Sequence, residues 1–142
     1  RSGLAAQRAL LKNPEDHMVL PEVISKEPLG PLVRHGDDEW ADIVRWSLNA
    51  MISAEELGVT SKNVDSMKTA KNPEVRRLLG AEGEMGKQLG VSADWAYNII
   101  KKVGNYAESY ERNIGVNTPL KLVRGVNALW NQGGIMYSPP FR

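Results

Sequence analysis

Glu108 and Glu111, three residues apart beside Tyr106 and Tyr110, come closest to a pair that could do acid–base work. Two carboxylates are what a small lysozyme-like hydrolase needs: one donates a proton, the other stabilises charge or activates water. Their spacing places both on one helical turn, with Arg112 and the Lys101-Lys102 pair as charge partners, so they read as a solvated face. The two histidines, His17 and His35, are too few for a metal cluster and stand at no i, i+4 spacing with another ligand. Gly80 to Gln88 is rich in glycine and holds a Gly-Lys pair. It lacks both the Ser/Thr that would reach a magnesium ion and a preceding strand, so it reads as helix punctuation rather than a phosphate loop. Trp40, Trp46, Trp95 and Trp130 sit in separate helical stretches at core-facing positions, where packing is expected rather than a stacking platform. With no cysteine, thiol nucleophiles, disulfides and thiolate metal sites are excluded. No cofactor and no enzymatic activity are expected.

These residues must be carried by helices. Ser2 is expected to cap a first helix that ends by Asn13-Pro14. Met18-Val19-Leu20 reads as a short strand closed by Pro21. The prolines of Glu27-Pro28-Leu29-Gly30-Pro31-Leu32-Val33-Arg34 remove ladder donors, so this stretch is an edge strand or a crossing segment. Gly36 to Glu39 opens a long helix to Leu57, stopped by Gly58, with acids at its positive end. Its apolar arc is wide enough for burial on more than one side. Asn72-Pro73-Glu74 starts a helix that ends at Gly80. Further short helices are expected over Glu84–Leu89, Ser92–Val103 and Asn105–Asn113. Thr118-Pro119 reads as the start of a last helix through Leu120, Val123, Val126, Leu129 and Trp130, with Gly133-Gly134 as its stop.

Composition bounds the function. At 142 residues, 42% hydrophobic and 25% charged, the chain has the balance of one globular domain. Eighteen basic against seventeen acidic residues give a net charge of +1, which argues against nucleic-acid binding. No apolar run approaches the roughly 18 residues of a membrane span. Strands are too few for a complete α/β domain. The chain begins at Arg1 rather than Met, as expected of a processed chain or a piece of a longer one.

Two stretches carry a resemblance. Lys26 to Met51, KEPLGPLVRHGDDEWADIVRWSLNAM, resembles the return crossover of family 3 extracellular solute-binding proteins, the amino-acid receptors of ABC importers. Ser2 to Ala9, SGLAAQRA, with His17 to Pro21 after it, is similar to the unit before that crossover. Asn72 to Gly80, Asp94 to Ile100, Val103 to Tyr106 and Asn127 to Pro140 resemble the branch of general amino-acid receptors, which carries a helical C-terminal extension.

The resemblance implies an α/β parent of two lobes, the type II periplasmic binding fold, of which this chain is a helix-rich C-terminal portion with few short strands. Residues 1–23 would finish the second lobe, 24–34 would cross back, and 35–142 would form the return to the first lobe plus the extension. It further implies a periplasmic receptor for L-amino acids that hands its cargo to ABC permease subunits in the inner membrane. Pro28, Gly30 and Pro31 would belong to the hinge. Arg1 and Ser2 would lie beside the ligand site, while both charged anchors of the family would be missing, so the portion itself would bind no ligand. The exposed faces left behind would favour a homodimer, with domain swapping as one route. The rival reading from the residues alone is a stand-alone helical domain that binds a partner helix.

Overall fold

The computed structural model describes residues 2–25 and 28–142. Seven α-helices occur among them: α1 (Ser2–Ala9), α2 (Asp38–Glu56), α3 (Val64–Met67), α4 (Pro73–Leu78), α5 (Met85–Gln88), α6 (Trp95–Val103) and α7 (Tyr106–Asn113). The described residues form no β-ladder, and a single parallel bridge joins Leu129 to Met136. They divide into two compact units. Unit 1 holds Arg1–Leu32 and Tyr110–Arg124; unit 2 holds Val33–Ser109 and Gly125–Arg142. The division runs through α7, between Ser109 and Tyr110.

Unit 2 is built on α2. Asp37 caps it by accepting a hydrogen bond from the Trp40 N–H at 3.3 Å, with Asp38 and Glu39 in the first turn. Its end is a glycine cap with two reversed bonds. Gly58 donates to Glu55 O at 3.1 Å and Val59 to Ala54 O at 2.7 Å, with Gly58 at φ 68°. The same pairing closes α4, where Gly80 N–H bonds Arg77 O and Ala81 N–H bonds Arg76 O. It closes α5 through Gly90 and Val91. Each cap turns the chain sharply and returns the next helix to the same core. α2 packs on α4 and α6, and α3 packs on α6. Val59, Val64, Val75, Leu78, Leu79, Ala96 and Ile100 are buried together, with Trp46 packed against them.

Gly80 has a second role. A Cβ there would collide with the Ala93 carbonyl, so the glycine admits residues 92–93 against the end of α4. The glycine-rich stretch is thus helix punctuation, as its sequence indicates.

In unit 1, α1 leads into two turn bonds, Leu10 N–H to Gln7 O and Leu11 N–H to Arg8 O, and then into a 3-10 turn over Pro14–Asp16. Arg8 donates from Nε to His17 O at 2.6 Å and pairs with Glu15, which also pairs with Lys121. The lysine bond, ahead of Arg8, holds the Glu15 carboxyl below its ordinary pKa.

Two expectations fail. Met18-Val19-Leu20 has no ladder partner among the described residues, so it is irregular rather than a strand. The predicted helix from Thr118 does not form. Thr118 Oγ1 bonds Gly115 O and receives the Leu120 N–H, which closes a local turn. Lys121 and Gly125 both take φ 50°, which no α-helix accommodates. Only 3-10 turns at Gly125–Asn127 and Trp130–Gln132 come after it.

Candidate functional site

Arg1 lies outside the described residues. Ser2 is the first residue of α1 and is half-buried. Pro28, Gly30 and Pro31 are exposed, in neither helix nor ladder. Apart from its own chain neighbours, no atom lies within 4 Å of where a Cβ on Gly30 would stand. The chain passes from unit 1 to unit 2 just after them, between Leu32 and Val33.

The clearest recess in unit 2 measures about 240 Å³ and is lined by Arg77, Glu82, Glu84, Lys87 and Trp95 among others. Its charges are engaged with one another or with backbone. Glu82 accepts from Arg76 at 2.6 Å, Glu84 lies 3.6 Å from Lys87, and Arg77 Nε donates to Phe141 O at 2.9 Å. A free amino acid needs one cation for its carboxylate and one acid for its ammonium, converging on one point. This recess presents no such convergence. A shallower one is formed by Arg34, His35, Gly36 and Asp37 at the turn before α2. His17 sits at the end of the 3-10 turn with Nδ1 3.0 Å from Asn13 O. Both histidines are therefore turn residues. No group of three metal-ligating side chains occurs among the described residues.

Glu108 is not part of a solvated face. Its carboxylate accepts the Ser61 hydroxyl at 2.6 Å, the Ser61 N–H at 3.0 Å and the Asn105 N–H at 2.8 Å. Asn105 Oδ1 accepts the Glu108 N–H at 2.9 Å in return, and Asn105 Nδ2 donates to Val59 O. The pair is a reciprocal box at the start of α7. It is extended by Ser61 to the loop after α2. Gly104, at φ 92°, leaves room for it: a Cβ there would meet the Glu108 carboxylate at 2.8 Å. A carboxylate committed to these donors has no role as a general acid. The Asn105-x-x-Glu108 spacing is the readable signal for this box.

Asp65 on α3 accepts the Tyr97 hydroxyl at 2.7 Å and the Lys101 ammonium at 2.5 Å, both from α6. Lys68 stands 3.5 Å above the Tyr97 ring. The bond from Lys101, then that from Tyr97, lowers the Asp65 pKa. Asp65 in turn raises the pKa of both Lys101 and Tyr97. This is a surface clasp between two helices. The tryptophans split: Trp46 and Trp95 pack in the core, whereas Trp40 and Trp130 are about half exposed, at 52% and 53%.

The described residues thus contain helix-locking networks rather than a converged site. Comparison with known proteins places them. No family model matches the chain. It is 58% identical to a general L-amino acid-binding periplasmic protein of Rhizobium johnstonii, over 100% of this chain and 42% of that protein. It is 56% identical to a glutamate/glutamine/aspartate/asparagine-binding protein of Rhodobacter capsulatus, over 99% and 42% respectively. An ABC transporter periplasmic binding protein from Brucella ovis, solved with glutathione bound, has the same fold at a TM-score of 0.95 and 55% identity, over 99% of this chain and 44% of that one. Along essentially its whole length the chain is similar to part of the periplasmic amino-acid-binding proteins of ABC transporters. It spans about two fifths of their length, which is why a helix-rich, nearly strandless chain matches an α/β receptor. The resemblance read from Lys26–Met51 and the later segments is the one these comparisons show.

Proposed function

We propose that the chain is the C-terminal part of a periplasmic receptor that delivers L-amino acids to the permease of an ABC importer, and that it is not an enzyme. The observation that carries this reading is the 55–58% identity to such proteins along essentially the whole chain, together with the TM-score of 0.95. In the complete receptor, residues 1–23 finish the second lobe, 24–34 cross between lobes, and 35–142 return to the first lobe and form its extension. The ligand is held between the lobes by charge-assisted bonds to its carboxylate and ammonium groups. Closure turns about the crossing that contains Pro28, Gly30 and Pro31. Ser2, with Arg1 before it, lies beside the ligand. The 142 residues alone bind no amino acid and associate through their uncovered apolar faces.

Calorimetry of the complete polypeptide against a panel of L-amino acids tests the reading. Saturable binding of several is expected; binding of none overturns it. The 142-residue chain should show no heat with the same panel and should scatter as more than a monomer. Gly30→Trp, whose Cβ meets no neighbouring atom in this chain, should change closure of the complete receptor by solution scattering while leaving its melting temperature nearly unchanged. Wild-type closure in that variant removes Gly30 from the hinge. The glutathione in the Brucella ovis neighbour favours a second cargo, a γ-glutamyl peptide. Including glutathione and glutamate in the same panel separates the two.

A further inference from the structure

The segment after the last 3-10 turn contains the feature that the receptor reading leaves unused. Phe141 is 6% exposed although it lies in neither helix nor ladder. Its ring enters a slot between two tryptophans. Trp46 of α2 meets it edge-on with centroids 5.3 Å apart, and Trp95 of α6 lies nearly parallel at 6.2 Å. Arg77 of α4 donates from Nε to Phe141 O at 2.9 Å. Three residues earlier, the buried Ser53 hydroxyl donates to the buried Ser138 hydroxyl at 2.9 Å, which donates onward to Pro139 O at 3.0 Å. All of these residues belong to unit 2.

What is missing matters as much. Residues 137–142 make no backbone–backbone hydrogen bond among the described residues. Pro139 and Pro140 have no N–H to give, and both are exposed. The segment is therefore held by the Phe141 ring and carbonyl, by Ser138, and by an edge-on contact of Tyr137 with Trp130 whose centroids lie 6.3 Å apart, while α2, α4 and α6 hold each other through their own packed side chains. Two adjacent prolines keep such a segment extended when it is free, so little order is lost when it docks. The Phe141 ring joins the same buried cluster as Trp95 and Ile100, but it reaches that cluster on a short extended peptide with two polar contacts, which is the anatomy of a bound ligand.

We propose that Ser138–Phe141 is an internal ligand: a strap that fills the Trp46–Trp95 slot and leaves and re-enters it as a unit while the helices that form the slot stay folded. The slot is then a peptide-binding site, closed by the chain's own segment, for an extended Ser-Pro-Pro-aromatic sequence.

The test uses the complete polypeptide with every tryptophan except Trp46 and Trp95 replaced by phenylalanine, so that only the two slot tryptophans report. In that background Phe141→Ala should raise acrylamide quenching severalfold, because loss of a buried phenyl group shifts strap release by roughly a hundredfold or more. Amide exchange in α2 and α6 should stay slow. The synthetic peptide acetyl-Ser-Pro-Pro-Phe-Arg, added to this variant, should reverse the quenching saturably. The same peptide with alanine for phenylalanine should not. Phe141→Leu provides a milder opening if the alanine variant does not fold, and should show partial quenching with protected helices. Unchanged quenching in both variants overturns the proposal. So does loss of protection across α2, α4 and α6 in Phe141→Leu, which would make the segment an inseparable part of the core.

Discussion

Units 1 and 2 contain the same kinds of apolar residue and do opposite things with them. In unit 2, Val59, Val64, Val75, Leu78 and Ile100 are at most 1% exposed. In unit 1, Met18, Leu20, Val23, Ile24, Leu29 and Leu32 are 62% to 98% exposed. The difference lies in how the chain continues beyond each apolar run. In unit 2, α2, α4 and α5 each end in a glycine turn that returns the following residues to one shared core. The run from Met18 to Leu32 has three prolines and, among its described residues, no helix and no ladder, so it has no second surface of its own to close against. Burial is a property of returning chain, not of residue type. On the proposed reading, the exposed run ends one lobe and crosses toward the other, and other parts of the receptor supply the surfaces it lacks.

The sharpest way to break this comparison is to cut the unit 2 core. Ile100→Ala should lower stability by ~2–5 kcal/mol, seen as a shift of the urea midpoint. A smaller loss would mean that unit 2 is as loosely packed as unit 1. Next comes Gly104→Ala, which places a Cβ at φ 92° against Glu108 and should cost ~1–3 kcal/mol by thermal melting. Glu108→Gln keeps the shape of the α7 box but loses its charge-assisted acceptors, and should cost about 1–2 kcal/mol.

The Asp65 clasp is expected to be a smaller contribution, visible through pH. The lowered Asp65 pKa means its contribution is present at neutral pH and is lost as pH falls through that lowered value. The raised pKa values of Lys101 and Tyr97 mean theirs are present at neutral pH and lost as pH rises through the raised values. The melting difference between wild type and Lys101→Met should therefore be flat from about pH 5 to 9 and shrink on both sides. A difference that persists at pH 2 would assign the effect to packing. The smallest effect belongs to unit 1: Leu32→Ser in this chain should change stability by no more than about 0.5 kcal/mol. The same change in the complete receptor, where we propose the lobe is whole, should cost more.

The parts of the fold that the sequence makes legible are those written in local chemistry. Gly36-Asp37 before α2, Asn72-Pro73 before α4, and the glycines at 58, 80 and 90 each act within one turn, and each punctuates the helix it is expected to punctuate. The error after Thr118 has the opposite origin. Leu120, Val123, Val126 and Leu129 keep helical spacing, but the Thr118 turn and a left-handed Lys121 redirect the backbone before periodicity can act. Glu108 is misread for want of Ser61, which is distant in sequence and arrives only through the fold. The residues proposed to flank the ligand and to form the hinge are not legible from their own chemistry: Ser2 is one helix-terminal hydroxyl, and Pro28, Gly30 and Pro31 carry no chemistry beyond backbone shape. Only the resemblance suggests them.

The passage of the unit division through α7 has a practical consequence for anyone building a reporter from the complete receptor. The backbone crosses between units in irregular structure at Leu32–Val33 and immediately before a 3-10 turn at Arg124–Gly125, and an inserted fluorescent module would split no α-helix at either place. At Ser109–Tyr110 the same insertion would split a helix whose first turn is locked to Ser61. Of the three crossings, two are seams and one lies within a helix. A sensor should be opened at the seams.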